Sequence, residues 1–153
     1  MDKFWTQRPV QAFDADQVAA HGCYRPEDAG RRVSYSAWVG QRIKAGRYVG
    51  ALAVDGRRVL GGAGAVLLDW GPTRANPGGQ MARVVNVFTD ADCRGMGIAR
   101  SLIVDVMARC EALGVREFNL GASAEGRALY AALGFEAYPA EMRRGVPGAP
   151  VQT

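Results

Sequence analysis

A change of hydrophobic period within residues 82–114 constrains this chain more than any other feature of it. Ala82 to Thr89 is an apolar, β-branched run carrying Val84, Val85, Val87 and Phe88, and it reads as a central strand. After the polar turn Asp90 to Cys93 the period becomes helical. Ile98, Leu102, Ile103, Val106, Met107, Cys110 and Leu113 fall on one stripe, and Gly114 stands where a C-terminal cap is expected. Between strand and helix lies Arg94-Gly95-Met96-Gly97-Ile98-Ala99.

That junction suits an anion, because the first backbone N–H groups of a helix have no internal partners. The glycines let a phosphate reach those groups. The helix terminus adds roughly half a positive charge, and Arg94 and Arg100 add more, so a diphosphate is favoured over a neutral ligand. The plainer alternative is a strand-to-helix turn softened by glycine. Two other phosphate signatures fail here. A P-loop needs Lys followed by Ser or Thr where Ile98-Ala99 stands. A dinucleotide fingerprint needs a third Gly where Arg100 stands, and an acid near the end of the next strand, where Asn119-Leu120-Gly121 has none.

The rest of the chain supplies elements around this core. Asp14 to Ala20 and residues 34–45, with Tyr35, Trp38, Val39 and Ile43 at helical spacing, predict two N-terminal helices. Tyr48 to Val54 and Val59 to Asp69 flank Asp55-Gly56, a hairpin signal. Gly61-Gly62-Ala63-Gly64 lies inside the second of these strands and is expected to relieve crowding against a neighbour. Trp70 to Gln80, with two prolines and three glycines, is a loop. Arg116 to Leu120 predicts a short strand, and Ser123 a helix carrying Ala128, Leu129, Ala132 and Leu133 and ended by Gly134-Phe135. One or two further strands are expected between Phe135 and Arg144. The tail 145–153 has no periodicity and is expected to fray.

Composition narrows the class. A chain of 153 residues, 48% hydrophobic and 22% charged, suits one domain over 1–153. No stretch reaches the roughly 18 apolar residues of a spanning helix, and the N-terminus does not read as a secretion signal. Cys23, Cys93 and Cys110 suit neither a disulfide framework nor a zinc site, so they are expected to be reduced thiols in the cytoplasm, with no metal. The net charge of +4 comes from basic residues spread in small pairs rather than one run. Neither a nucleic-acid nor a membrane partner is expected.

At this point the sequence resembles the GNAT superfamily of acetyltransferases, whose acetyl-CoA loop Arg/Gln-x-x-Gly-x-Gly/Ala is matched by Arg94, Gly97 and Ala99. The strand Val84 to Thr89 and the later Ser123-Ala-Glu-Gly-Arg127-Ala-Leu129-Tyr130-Ala-Ala-Leu-Gly134-Phe135 fit the family pattern in order and spacing, so residues 81–142 are covered closely. The family often has Asn where Ser123 stands and Ala where Gly126 stands. The resemblance implies a single mixed α/β (α+β) domain with a central, mostly antiparallel twisted sheet of about six or seven strands and about four helices. Residues 81–142 would form the acetyl-CoA core, and 1–46 the acceptor side. It also implies that Val87, Phe88 and Thr89 meet the pantetheine arm. Gly95, Met96, Gly97, Ile98 and Ala99 would hold the pyrophosphate, flanked by Arg94 and Arg100. Ser123, Arg127 and Tyr130 would complete the cofactor contacts, with Tyr130 near the thioester sulfur.

Chemistry supports Tyr130 as an acid, since acetyl transfer to an amine releases a thiolate that a phenol of pKa about 10 can protonate. The alternative is an aromatic anchor beside Leu129 and Leu133. An alkylamine is mostly protonated at neutral pH, so a base has to help; Asp69, Asp90, Asp92 and His21 are candidates. Asn86 is the one polar side chain within the apolar run Val84 to Phe88 and requires a hydrogen-bonding partner in the site or the core. Tyr35, Trp38 and Trp70, with Asn86, would wall the acceptor pocket, although aromatics at helical spacing also serve as core. The resulting expectation is an N-acetyltransferase moving acetyl from acetyl-CoA directly to a primary amine of a small molecule or peptide, as a monomer or homodimer. The alternative is a CoA-binding regulatory module without turnover.

Overall fold

Residues 3–148 are described by a computed structural model. Its first unit, ending at Leu120, runs β1 (Thr6–Pro9), α1 (Ala15–Gly22), α2 (Arg32–Lys44), β2 (Tyr48–Asp55), β3 (Arg58–Asp69), β4 (Gln80–Thr89), α3 (Ile98–Ala112) and β5 (Glu117–Asn119). A second unit begins at Gly121 and contains α4 (Arg127–Ala132). The sheet order is β1-β2-β3-β4-β5, antiparallel except for the parallel pair β4–β5. The mixed, mostly antiparallel sheet and the four helices are as expected. β4 is interior, while β3 takes the central place.

Among the described residues there are five strands, not six or seven, and residues 135–144 form none. Pro139 lacks a ladder donor, and the apolar alternation stops once Phe135 is placed. Conversely, β1 carries no hydrophobic alternation in Thr-Gln-Arg-Pro. It forms by lying along β2, with Thr6 opposite Val54 and Pro9 opposite Ala51, at the edge where a proline is tolerated. Arg8 then makes a two-pronged ion pair with the nearly buried Asp14, 2.8 Å on each arm. Of the tail, 149–153 lies outside the described residues, and Gly145 to Gly148 form no helix or strand.

Two glycines show which helix covers which face. A Cβ on Gly61 would lie 2.9 Å from the Cγ2 of Ile98 in α3, whereas one on Gly62 would collide with the Phe88 ring. Phe88 packs into the cluster of Val10, Val18, Val39, Tyr48 and Leu52, which joins α1 and α2 to the sheet. Successive strand residues point to opposite faces, so α3 lies on one side of the sheet and α1 with α2 on the other. The crowding expected over Gly61 to Gly64 is therefore present on both faces. On α3 the buried stripe is Ile98, Leu102, Ile103, Val106 and Cys110. Leu113 stands just past the helix end and is 58% exposed, and Gly114 follows with φ +95°.

Candidate functional site

β4 departs from a regular strand at Asn86, the one non-glycine among the described residues with positive φ, +55°. Gly62 pairs with Phe88 but Gly64 pairs with Val85, so β4 carries one extra residue across this interval. In consequence Val85 and Phe88, three positions apart, pack into the same cluster. On its other side β4 meets β5 only from Met81 to Arg83. Beyond Arg83 the β4 edge has no paired strand among the described residues, and its main-chain groups over Val84 to Thr89 are half committed. Val87, Phe88 and Thr89 lie on this stretch.

The chain leaves β4 through a short 3-10 turn, Ala91–Cys93. Asp90 N–H donates to the Leu60 carbonyl at 2.8 Å, Cys93 is buried beneath the turn, and Arg94 Nε donates to the Thr89 carbonyl at 3.4 Å. Gly95 and Gly97 take φ +79° and +77°, which side-chain-bearing residues rarely adopt, and a Cβ on either would meet nothing within 4 Å. Gly97 caps α3, whose first bond inside the described turn runs from Ser101 N–H to the Gly97 carbonyl at 3.0 Å. Arg94, Gly95, Met96, Gly97 and Arg100 are exposed around this helix start, while Ile98 is anchored in the core. The geometry is an open glycine turn with free amides at a helix N-terminus and two arginines beside it.

A feature the sequence did not single out holds the turn. Arg58 Nη2, from the start of β3, reaches both oxygens of Asp92 at 2.6 and 2.8 Å and one of Asp90 at 3.2 Å. This holds the Asp92 carboxyl below its ordinary range, which makes it a poor base. The Asp69 carboxylate accepts from Gly71 N–H at 3.2 Å, a local turn bond. His21 lies flat on Phe88, with ring centroids 3.3 Å apart, and bonds to Gln17. Burial lowers its pKa, countered by Asp90 and assisted by Arg32.

In the second unit, Ser123 Oγ accepts from Gly126 N–H at 3.2 Å, a turn that precedes α4; Gly126 itself occupies the cap position. Arg127 opens the helix and is exposed. Tyr130 is half-buried with its ring edge-on to Phe135, centroids 5.9 Å apart, and burial raises its phenol pKa.

Of the residues expected to wall an acceptor pocket, α2 brings Tyr35 and Trp38 together, centroids 5.8 Å apart. Tyr35 also bonds to Asn86. Trp38 lines a groove of about 280 Å³ with Arg42, Arg47 and residues 66–69, and the Arg42 guanidinium sits 5.7 Å from its ring centre. Trp70 is not part of that groove; it is 58% exposed, and its N–H closes the 70–80 loop on the Gly79 carbonyl at 2.8 Å.

Comparison with known proteins matches residues 33–150 to the family model described as "Acetyltransferase (GNAT) domain". A search of curated protein sequences finds no match. Among solved structures, a predicted acetyltransferase with acetyl-CoA from Clostridium acetobutylicum superposes with TM-score 0.85 at 18% identity, covering 92% of this chain and 96% of that one. A GCN5-related N-acetyltransferase from Ralstonia eutropha gives 0.85 at 24% identity, with coverages of 94% and 99%. An aminoglycoside acetyltransferase from an uncultured soil metagenomic sample gives 0.74 at 15% identity, covering 97% of this chain and 100% of that one. Among the described residues no helix is long and apolar enough to cross a membrane. With a family model spanning residues 33–150, the chain belongs to the GNAT acetyltransferase family and is an acyltransferase.

Proposed function

We propose that the chain is an N-acetyltransferase that binds acetyl-CoA at the Arg94 to Arg100 turn and transfers its acetyl group directly to a primary amine. The observation that carries this reading is the pair of left-handed glycines, Gly95 and Gly97, opening α3 with nothing packed over them. A bulky diphosphate needs that open approach, and the helix amides and the Arg94 and Arg100 guanidiniums answer its charge. The unpaired edge of β4 over Val87, Phe88 and Thr89 suits the amides of a pantetheine arm, which can bond to it as an added strand would. Ser123 and Arg127 are assigned to the cofactor by the family pattern.

In the transfer, the amine nitrogen attacks the thioester carbonyl, the C–N bond forms, and collapse of the tetrahedral intermediate breaks the C–S bond. The thiolate takes its proton from Tyr130, and the nitrogen gives up its own to a base or solvent. A phenol is already protonated at neutral pH at its ordinary pKa of about 10, and burial of Tyr130 shifts it further in that direction, so the proton is in place to be donated. Tyr35, Trp38 and Trp70 are assigned to the acceptor side. The name of one structural relative, an aminoglycoside acetyltransferase, gives that protein an amine-bearing substrate class, in keeping with this reading. The three cysteines are free and buried, in keeping with a reducing compartment such as the cytoplasm. The test is a panel of primary amines with acetyl-CoA, read as release of free CoA thiol. Turnover with at least one amine is expected, and acetyl-CoA binding with no turnover on any amine would favour a regulatory module instead.

A further inference from the structure

Asn86 is the single polar side chain in the run Val84 to Phe88 of β4, and both N–H donors of its amide are used inside the protein. Its Nδ2 donates to Tyr35 Oη at 2.9 Å and to Tyr48 Oη at 3.0 Å, and Tyr35 Oη donates back to Asn86 Oδ1 at 3.3 Å. One amide thus ties α2, β2 and β4 together. Tyr48 is 5% exposed, and burial pushes its phenol well above the ordinary range, so it serves this cluster as a neutral hydroxyl rather than as a base.

Space for the cluster is made by two glycines. The Tyr48 hydroxyl occupies the volume that a Cβ on Gly64 would need, so a side chain there would displace it. A Cβ on Gly22, the last residue of α1, would lie 2.8 Å from Asn86 Oδ1 and 3.0 Å from the Tyr35 ring. The cluster sits at the point where Asn86 takes φ +55° and the β3–β4 register shifts. Asparagine is among the few residues with a Cβ that enter that conformation readily, and here its side chain is held from two sides.

We propose that Asn86 is a positioning residue: clamped between Tyr35 and Tyr48, it fixes the β4 bulge and thereby sets the direction in which the Val87 to Thr89 backbone meets acetyl-CoA. The inference rests on the acetyl-CoA reading above and assigns Asn86 a role other than contact with the acceptor. With both N–H donors of its amide already engaged by tyrosine hydroxyls, Asn86 has no donor left for a substrate oxygen.

The experiment measures acetyl-CoA binding by titration calorimetry, well below the melting point of every variant, together with amide hydrogen exchange of the free protein. Asn86→Gly retains access to positive φ and removes the side chain with its amide. It should bind acetyl-CoA about tenfold more weakly, equivalent to about 1.4 kcal/mol. Its amides at 87–89 should exchange faster, while those at 82–84 stay as in wild type. Asn86→Ala, which adds backbone strain, should bind more weakly still. Tyr35→Phe should lose about threefold, and the Tyr35→Phe, Asn86→Gly pair should be no weaker than Asn86→Gly alone. Affinity of Asn86→Gly within about twofold of wild type, with only its melting temperature lowered, would overturn the proposal. So would an unchanged affinity accompanied by a raised KM for the amine, since that is the signature of an acceptor contact. If wild type itself binds no acetyl-CoA, the function proposed above falls and this inference with it; tight wild-type binding with an unaltered Asn86→Gly removes the inference alone.

Discussion

The imidazole of His21 lies face to face with the ring of Phe88, the planes 8° from parallel, so the end of α1 is stacked directly on β4. Burial is the largest influence on the ring and lowers its pKa below 6.5. The folded protein therefore binds a proton at His21 less readily than the unfolded chain does. Stability from this group is fully present above about pH 6.5 and is lost as pH falls through the lower, folded-state pKa. His21 is the only histidine, and ordinary carboxylates titrate lower, so urea midpoints measured between pH 7.5 and 5.5 should decline on its account. His21→Gln should flatten that decline. The same slope in the variant would place its origin elsewhere.

Gly97→Val forces a β-branched residue into φ +77°, at a cost of about 1–2 kcal/mol. The variant should melt a few degrees lower yet remain folded, because a Cβ at this position meets no atom within 4 Å. Excess acetyl-CoA should raise the melting temperature of wild type by mass action and leave that of Gly97→Val unmoved. An equal shift in both proteins would take the turn out of the cofactor site.

Tyr130→Phe keeps the ring that meets Phe135 edge-on and removes the acidic hydroxyl. Turnover with a competent amine should fall by about 100-fold, with acetyl-CoA affinity little changed. Steady-state kinetics and a binding titration read the two quantities separately. Undiminished turnover would reduce Tyr130 to a packing role.

Arg58 is ion-paired with two carboxylates, Asp90 and Asp92, that stand directly before the glycine turn proposed to hold the diphosphate. Arg58→Gln frees both negative charges to repel a diphosphate. Acetyl-CoA affinity at low salt should drop about two- to fivefold, the drop should shrink as salt is added, and Asp92→Asn in the same background should restore part of it. A salt-independent loss would mean that Arg58 shapes the turn and does not tune its charge.

Trp38→Ala and Trp70→Ala should alter the ranking of amines in a CoA-release panel while acetyl-CoA affinity stays within about threefold. Identical rankings in both variants would move the acceptor pocket away from these side chains.

The helices, the hairpin and the glycine turn were legible because each is announced locally: the stripe from Ile98 to Cys110, Asp55-Gly56 between two β-rich runs, and Gly95 and Gly97 at a period change. β1 was not legible, since Thr6 to Pro9 has no pattern and becomes a strand only because Ala51 to Val54 offers an edge. The bulge was hidden for a related reason. Val85 and Val87 look like same-face neighbours until Asn86 adds a residue and hands the second core position to Phe88. The need for a partner at Asn86 could be read from its polarity. That the partners are Tyr35 and Tyr48, separated from it by 51 and 38 positions, is information only the fold supplies. The same holds for Arg58, whose reach to Asp90 and Asp92 spans 32 and 34 positions.

Because the Tyr48 hydroxyl stands in the place of a Gly64 side chain, those two positions hold a single volume between them. Neither can drift independently: a larger residue at 64 is admissible only with a trimmed ring at 48, and trimming that ring releases one arm of the Asn86 amide. Natural variation at this spot should therefore come as paired exchanges, and a library that randomises position 64 alone should return glycine.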